Sequence, residues 1–303
     1  MPIHGWVYEP QKSRYRKSAF AQVLASKYNL VVSSDNQDNF DTRVNLLIAD
    51  NERGKAITIT IGEHHYTLPV SLANGHFETV LVIPTVDLDV SQKNIEFYAR
   101  LPQADTRIFM GEFSLIQPLG KSVISDIDDT VKVSHVTNRK ALLENTFFND
   151  FTAVDGMPVL YQKLHQRGYE FHFVSSSPWH LYTPLQQFLE KYKFPWATLH
   201  LKKIRFKDST LLDLFKKGTK TKPIVIEKLL QAYPKRSFLL VGDSGEQDAE
   251  FYAAIARQYS QQIERILIRS IDTEVVDMKK YHAIFKGVDI PWQIFSSVDE
   301  LVL

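Results

Sequence analysis

The chain of 303 residues contains no cysteine. This absence excludes disulfide bonds, cysteine-based zinc sites and every enzyme that uses a thiol nucleophile, including the cysteine phosphatases. If the chain is a phosphatase, we therefore expect its chemistry to use an oxygen nucleophile or water bound to a metal.

Long apolar runs and a strong charge bias are also missing. No apolar stretch reaches the roughly 18 residues that span a bilayer, and the N-terminal segment Met1–Trp6 lacks the basic start and apolar core of a secretory signal. The net charge is +1 and 44% of the residues are hydrophobic, which is typical of a globular protein. We therefore expect a protein of two domains with no nucleic-acid partner. We expect it to be cytoplasmic, or to be exported by a route that leaves no such signal.

Residues from about 40 to 117 follow a pattern of short strands separated by turns. The turns are marked by Gly62, by Ala73-Asn74-Gly75 and by Pro102. Closely spaced strands with short turns are typical of an antiparallel sandwich or barrel. We predict an all-β, sandwich-like domain over residues 1–119, with a leading helix over Tyr15–Leu30 and strands at Val44–Ile48, Ala56–Ile61, His64–Val70, Phe77–Ile83, Ile95–Arg100 and Arg107–Ile116.

After Gly120 the pattern changes to strands that alternate with helices. The predicted strands are Val123–Asp126, Phe171–Ser175, Thr198–Leu201, Phe238–Val241 and Ile266–Arg269, and the helices between them are Met157–Arg167, Leu181–Tyr192, Pro223–Tyr233 and Glu246–Tyr259. Such alternation predicts a three-layer, Rossmann-like α/β domain over residues 120–303, with a mostly parallel sheet covered on both faces. Ligands bind such sheets at the carboxyl ends of the strands.

The segment Ser125–Thr130 places three acidic residues directly after a short apolar strand. Burying these carboxylates costs several kcal/mol unless a cation neutralises them. Mg²⁺ is suited to this role because it prefers carboxylate and carbonyl oxygens. An aspartate in this setting can also attack phosphorus, so the segment predicts metal-dependent phosphoryl transfer.

Polar residues follow several of the predicted strands. They are Asp126, Asp128 and Thr130 in the first group, then Ser175, Lys222, and Asp243 with Asp248. In a parallel sheet these groups converge on one edge. Asp126 and Asp243 can share one Mg²⁺, and Ser175 and Lys222 can hold phosphoryl oxygens. Asp128 can protonate the leaving oxygen and then activate water.

Three motifs carry a resemblance to a known family: Ser122–Lys132, Phe173–Trp179 and Val241–Asp248. Their order is similar to that of the haloacid dehalogenase superfamily of Mg²⁺-dependent phosphohydrolases. More narrowly, they resemble the actin-patch-type phosphatidate phosphatases and their bacterial relatives, over roughly residues 120–270. The resemblance implies removal of phosphate from phosphatidate, giving diacylglycerol, through an aspartyl-phosphate intermediate.

The resemblance also assigns a role to each matching residue. It implies Asp126 as the nucleophile, Asp128 as the acid and base, Ser175 and Lys222 as phosphate ligands and Asp243 as a metal ligand, and Asp248 matches the second acidic position of the last motif. We further predict phosphate binding by Thr130 and Mg²⁺ binding by Asp126, Asp128, Asp243 and Asp248. Lys220 and Lys203 are alternatives to Lys222. The short gaps between the motifs leave room for only a minimal cap, and an open site suits bulky or membrane-embedded phosphate esters.

The stretch Lys202–Lys222 contains eight lysines and arginines against two aspartates. Its apolar side chains, such as Phe206 and Phe215, can enter a lipid interface. We predict that this stretch makes peripheral contact with an anionic membrane surface. We also predict that the substrate is an anionic phospholipid. The alternative is a solvated basic loop.

Two other functions stay open at this point. The same mechanism could act on a phosphoprotein or a soluble phosphate ester. The chain could instead be a membrane-binding scaffold with a weakly active site, and loss of Asp126 or Asp128 would be the sign of such a protein. Both residues are present, which favours an active phosphoric monoester hydrolase.

Overall fold

The structure is a computed structural model that describes residues 2–10, 14–84, 88, 93–100, 106–203, 221–271 and 276–302. The chain divides into two compact units. The first combines Met1–Ser13 with Ile48–Gln117, and the second combines Arg14–Leu47 with Pro118–Leu303.

The first unit consists of antiparallel β-structure. Its strands are β1 (Pro2–Trp6), β2 (Tyr8–Glu9), β3 (Asp50–Asn51), β4 (Thr58–Ile61), β5 (His64–Thr67), β6 (His76–Val80), β7 (Asn94–Arg100) and β8 (Ile108–Ser114). A four-stranded sheet has the order β5-β4-β7-β8, and β1 pairs with β6 and β2 with β3. Ile59 and Ile61 of β4 and Phe77 of β6 share one hydrophobic cluster. The antiparallel pairing is confirmed, and the sandwich-like arrangement stays a prediction.

One predicted strand is wrong. Residues Val44–Ile48 lie almost entirely within a helix, α2 (Gln37–Leu47). Phe40, Val44 and Leu47 are buried at the spacing of one helical face. A short apolar run fits a buried strand and a buried helix equally well, and the pattern alone does not separate them. The predicted leading helix is confirmed as α1 (Arg14–Tyr28).

Helices α1 and α2 group with the second unit, which differs from the predicted division at residue 119. The buried guanidinium of Arg43 donates hydrogen bonds from Nη1 to the carbonyl oxygens of Thr146 (3.0 Å) and Asn149 (2.7 Å). Phe20 packs against Phe147, at the end of α3 (Arg139–Phe147). These long-range contacts attach the two helices to α3. The division of the chain into one domain over residues 1–119 and another over residues 120–303 stays a prediction.

The second unit contains a six-stranded parallel sheet. Its strands are β9 (Gly120–Ser125), β10 (Tyr169–Pro178), β11 (Ala197–Lys202), β12 (Arg236–Asp243), β13 (Ile263–Arg269) and β14 (Trp292–Phe295). Their order is β11-β10-β9-β12-β13-β14, and every neighbouring pair is parallel. The predicted α/β class and its five strands are confirmed, whereas β14 was not predicted.

Helices cover both faces of this sheet. Val123 of β9 joins a hydrophobic cluster with α4 (Met157–Gln166) and α5 (Tyr182–Lys191). Its neighbour Ile124 joins the opposite cluster with α6 (Thr221–Ala232) and α7 (Asp248–Gln258). Successive side chains of a strand point to opposite faces, so β9 is buried from both sides. A further helix, α8 (Met278–Ile284), contributes Tyr281 to the second cluster.

The four helices predicted between the strands correspond to α4, α5, α6 and α7, with ends that agree within a few residues. Among the described residues, no helix combines the length and apolar composition needed to cross a membrane. The minimal cap stays a prediction, because residues 204–220, between β11 and α6, lie outside the described part of the chain.

Candidate active site

The candidate site lies where the two central strands of the sheet end. Ser125 is paired with Val241, so Asp126 after β9 and Asp243 at the end of β12 leave the sheet side by side. The backbone N–H of Asp126 donates to the carbonyl oxygen of Val241 at 2.9 Å. The regular ladder of the sheet therefore fixes the backbone from which the Asp126 carboxylate projects.

Asp129 shapes the loop that follows Asp126. It has a φ of 55°, a left-handed conformation that aspartate tolerates better than most residues. Its carboxylate accepts hydrogen bonds from the backbone N–H groups of Ser134 (2.8 Å), His135 (2.8 Å) and Val136 (2.6 Å). Arg269 donates to its carbonyl oxygen at 2.7 Å. The loop is thus folded back over the end of the sheet.

Three carboxylates converge at this edge. Asp126, Asp243 and Asp248 each offer an oxygen atom, and these oxygens lie within 4.8 Å of one another. All three residues are buried. Gly242 allows the close approach of Asp248, because a Cβ at this position would lie 2.5 Å from Asp248 Oδ2. The backbone N–H of Asp243 also donates to this oxygen, at 3.3 Å.

Lys222 of α6 places its ammonium group among these carboxylates. Its Nζ lies 2.9 Å from Asp126 Oδ1, 3.0 Å from Glu246 Oε2 and 2.6 Å from Asp248 Oδ1. Burial lowers the pKa of Lys222, but the three carboxylates outweigh this effect and raise the pKa well above its usual value. The site thus combines one ammonium group with four carboxylates, because Asp243 also lies in it. Negative charge is therefore in excess.

This excess shows in the protonation of the site. Burial raises the pKa of Asp126 well above its usual value, and the attraction of Lys222 offsets this only in part. Burial and the neighbouring Asp248 raise the pKa of Asp243 in the same way. The Oδ2 atoms of Asp126 and Asp243 are buried without a hydrogen-bond partner among the described residues. Unpartnered carboxylate oxygens with excess negative charge fit a hard divalent cation.

Asp128 lies in a different environment. Its Oδ1 is 2.9 Å from Lys132 Nζ and accepts a hydrogen bond from Ser134 Oγ at 2.6 Å. Its Oδ2 accepts from Ser177 Oγ at 2.6 Å and from Ser175 Oγ at 3.2 Å. Burial alone would raise the pKa of Asp128, but Lys132 and the hydroxyl groups of Ser134 and Ser177 lower the pKa to about 2. Asp128 is therefore ionised at neutral pH.

The Asp128 carboxylate is not one of the three that converge among the described residues. Its predicted role as a metal ligand stays a prediction. Thr130 is fully buried, and its Oγ1 has no hydrogen-bond partner in the described part of the chain. Phosphate binding by Ser175, Lys222 and Thr130 likewise stays a prediction. Lys220 lies outside the described residues, whereas Lys203 is exposed after the end of β11.

The sequence analysis missed several residues that complete the site. They are Asp129, Lys132, Ser134, Ser177 and Glu246. Each has a signal in the sequence. Asp129, Lys132 and Ser134 lie in the loop after the first acidic motif, Ser177 belongs to a run of three serines, and Glu246 lies between the two acidic residues of the last motif. The hydrogen-bond and ion-pair partners of these residues, however, depend on how the loops at the ends of the strands fold.

Comparison with known proteins finds relatives over the segment that contains this site. Residues 121–270 match the family described as the catalytic domain of phosphatidate phosphatase APP1. Phosphatidate phosphatase APP1 from Saccharomyces cerevisiae is 35% identical over 170 residues, which cover 55% of this chain and 28% of that protein. An uncharacterized protein from Schizosaccharomyces pombe is 25% identical over 213 residues, 68% of this chain and 35% of that protein.

This chain thus spans about a third or less of the length of these two relatives. Among solved structures, a chain of the Pnkp1/Rnl/Hen1 complex aligns with a TM-score of 0.35 at 16% identity, covering 48% of this chain and 44% of that chain. That likeness is too low to carry an argument. The family match coincides with the segment from β9 to β13, which contains the convergent carboxylates. Through residues 121–270, the chain belongs to the family of phosphatidate phosphatase APP1 catalytic domains.

Proposed function

We propose that this chain is a Mg²⁺-dependent phosphatidate phosphatase of the haloacid dehalogenase type. It would release phosphate from phosphatidate and give diacylglycerol through an aspartyl-phosphate intermediate. The observation that carries the proposal is the buried Asp126 carboxylate, which has an unpartnered Oδ2 and lies beside Lys222, Asp243 and Asp248. The name of the yeast relative supports phosphatidate as the substrate.

The first chemical step would use Asp126 and Asp128. Attack by a carboxylate oxygen of Asp126 forms a bond to phosphorus, and the bond between phosphorus and the glycerol oxygen breaks. The leaving oxygen takes a proton from Asp128. Asp128 is ionised in the free protein, and the approach of a phosphate dianion raises the pKa of a neighbouring carboxylate. The substrate itself thus favours the protonated form that this step needs.

The second step would return both aspartates to their initial state. Asp128, now a carboxylate, accepts a proton from a water molecule as the water oxygen attacks phosphorus. The bond between phosphorus and Asp126 breaks, phosphate leaves, and the Asp126 carboxylate is restored. The net reaction consumes one phosphate ester and one water and yields one alcohol and one phosphate. Asp128 is ionised in the free protein, which is the form that accepts a proton in this step.

The remaining residues would hold the transferred group. Mg²⁺ bound by Asp126, Asp243 and Asp248 would neutralise negative charge on the phosphoryl oxygens. Lys222 lies 2.9 Å from Asp126 Oδ1, so its ammonium group is beside any phosphoryl group that Asp126 receives. Ser175, three residues before the end of β10, supplies a hydroxyl group from the neighbouring strand. Electrostatic stabilisation of this kind is the main source of catalysis in phosphoryl transfer.

A direct assay tests this proposal. Phosphate release should be measured with phosphatidate in mixed micelles, p-nitrophenyl phosphate and a phosphoserine peptide, each with Mg²⁺ and with EDTA. We expect Mg²⁺-dependent release from phosphatidate. Release from the peptide or the aryl phosphate alone would support the alternative function, a phosphatase of phosphoproteins or soluble esters, and would exclude phosphatidate. No release from any substrate would contradict the enzymatic function and leave the scaffold alternative.

We further propose that the basic stretch Lys202–Lys222, apart from Lys222 itself, brings the protein to an anionic membrane, so that a cytoplasmic chain is peripherally bound. Lys222 is buried among the carboxylates of the site and does not face such a surface. Substituting Lys202, Lys203, Arg205 and Lys207 together by alanine should weaken binding to vesicles with 30 mol% phosphatidylserine by more than about tenfold at low salt, because each cation contributes about 1 kcal/mol near such a surface. Turnover of soluble p-nitrophenyl phosphate should not change.

The matched control substitutes four exposed lysines outside this stretch by alanine: Lys163, Lys191, Lys193 and Lys228. This control variant has the same net charge but should keep most of the vesicle binding. Equal weakening in both variants would show a non-specific effect of net charge and would contradict a role for the stretch. So would equal loss of turnover on soluble and lipid substrates.

A further inference from the structure

The carboxylate of Asp128 has an unusually complete set of hydrogen-bond donors. Lys132 and Ser134 contact Oδ1, while Ser177 and Ser175 donate to Oδ2. An ionised carboxylate has about four lone-pair positions, and all four are taken here. A carboxylate in this state cannot receive a proton from water or approach a leaving oxygen until one of the four donors withdraws.

The four donors are not equivalent. Ser134 and Ser177 both lie at 2.6 Å, whereas Ser175 is the most distant, at 3.2 Å. Ser175 is also the residue that we expect to bind the phosphoryl group. When its hydroxyl group turns to a phosphoryl oxygen, one position on Oδ2 of Asp128 becomes free. Both positions on Oδ1 stay occupied.

Lys132 is held firmly beside Oδ1. Its side chain is 2% exposed, and its ammonium group lies 2.9 Å from Asp128 Oδ1 and 4.8 Å from the centre of the Phe151 ring. It also donates a short hydrogen bond to Ser134 Oγ. A buried ammonium group is costly unless it is paired, so Lys132 cannot leave Asp128 without a large loss of stability. Ser134 is fixed in turn by its backbone N–H, which donates to Asp129.

We propose that Lys132 is a positioning residue, which together with Ser134 anchors Oδ1 of Asp128 so that Oδ2 is the oxygen that exchanges protons with the leaving group and water. This inference rests on the proposed function. Without the anchor, the Asp128 carboxylate can rotate, and Oδ2 no longer points steadily at the reacting atoms. The effect of Lys132 therefore passes through Asp128 rather than through contact with the substrate.

The test compares Lys132→Met, Lys132→Arg, Asp128→Asn and the double variant Asp128→Asn/Lys132→Met, with Mg²⁺. The substrates are phosphatidate, whose alkoxide leaving group needs a proton, and p-nitrophenyl phosphate, whose leaving group does not. We expect Lys132→Met to lower kcat on phosphatidate by about 10²-fold, the size of a general acid–base contribution, with a much smaller loss on the aryl phosphate and little change in KM.

Two further results are expected if Lys132 acts through Asp128. The double variant should be no slower than Asp128→Asn, because no acid remains for Lys132 to position. Lys132→Arg should restore part of the activity, because it keeps a cation beside Oδ1. Ser134→Ala removes the smaller part of the anchor, so it should also lower kcat more on phosphatidate than on the aryl phosphate, but by a smaller factor. This variant provides the test if Lys132→Met does not fold.

Other outcomes would overturn the inference. Equal losses on both substrates would indicate a structural role, and losses that multiply in the double variant would show that Lys132 acts independently of Asp128. A raised KM with unchanged kcat would make Lys132 a substrate ligand. The activity of the wild-type protein distinguishes failure of the proposed function from failure of the proposed anchor. If it releases no phosphate from either ester, the proposed function fails, whereas an active wild type with uniform losses refutes only the anchor.

Discussion

Replacing Asp126 by asparagine should abolish phosphate release, with a loss in kcat of at least about 10⁴-fold, as expected when a covalent nucleophile is removed. The amide group is a poor nucleophile and a weak ligand for Mg²⁺. The measurement is phosphate release from phosphatidate and from p-nitrophenyl phosphate with Mg²⁺. Acid quenching of the wild-type reaction should trap phosphate on the protein, and the variant should trap none.

Loss of activity in this variant should not come from unfolding. Burial raises the pKa of Asp126, so the ionised carboxylate is unfavourable in the metal-free protein, and a neutral amide removes that cost. We expect Asp126→Asn to be as stable as the wild type in EDTA, or more stable. Asp155→Asn, which changes an exposed aspartate, is the matched control and should keep full activity. Substantial Mg²⁺-dependent activity in Asp126→Asn would exclude Asp126 as the nucleophile.

Replacing Lys222 by methionine should lower the free energy of unfolding by about 3–5 kcal/mol in EDTA, the usual cost of removing one partner from a buried ion pair. Its ammonium group is within 3.0 Å of three carboxylates, and methionine leaves them without a counter-charge. Chemical denaturation at neutral pH measures this change. Lys228→Met, at an exposed position of the same helix, is the control and should change stability by less than about 0.5 kcal/mol.

The destabilisation of Lys222→Met should depend on pH and on Mg²⁺. Asp126 and Asp243 have raised pKa values in the folded protein, so the folded state binds protons more readily than the unfolded state. Stability should therefore increase as the pH falls from 8 towards 5 and decrease as the pH rises. Mg²⁺ should restore part of the stability at pH 8 by ligand linkage. Wild-type stability of Lys222→Met in EDTA would contradict the role of Lys222 as counter-charge.

The position of the site followed from the sequence because a parallel sheet orders the ends of its strands. Asp126 follows β9, Asp243 ends β12 and Ser175 lies in the last four residues of β10, and β9 lies between β10 and β12. The alternation of strands and helices therefore predicts that these three residues lie together. Asp248 and Lys222 joined them because the helices beside these strands begin at the same edge.

Other features depend on contacts that no local pattern encodes. The partners of Lys132 and Ser134 follow from the left-handed turn at Asp129, and a sequence does not show which aspartate adopts it. The helical state of Val44 and its neighbours depends on packing against the α/β unit, where Arg43 binds carbonyl groups more than 100 residues away. In a short apolar run, tertiary contacts of this kind outweigh the local preference for a strand or a helix.

The backbone hydrogen bond from Asp126 to Val241 has a consequence for the motions of the site. This N–H lies between β9 and β12, the two central strands of the sheet, at the point where β9 ends, and Asp126 itself is buried. Buried amide hydrogens of core strands exchange with solvent through openings whose free energy approaches that of global unfolding. We therefore expect the amide hydrogen of Asp126 to be among the slowest to exchange, so that the substrate of the proposed reaction adapts to a backbone position that rarely opens.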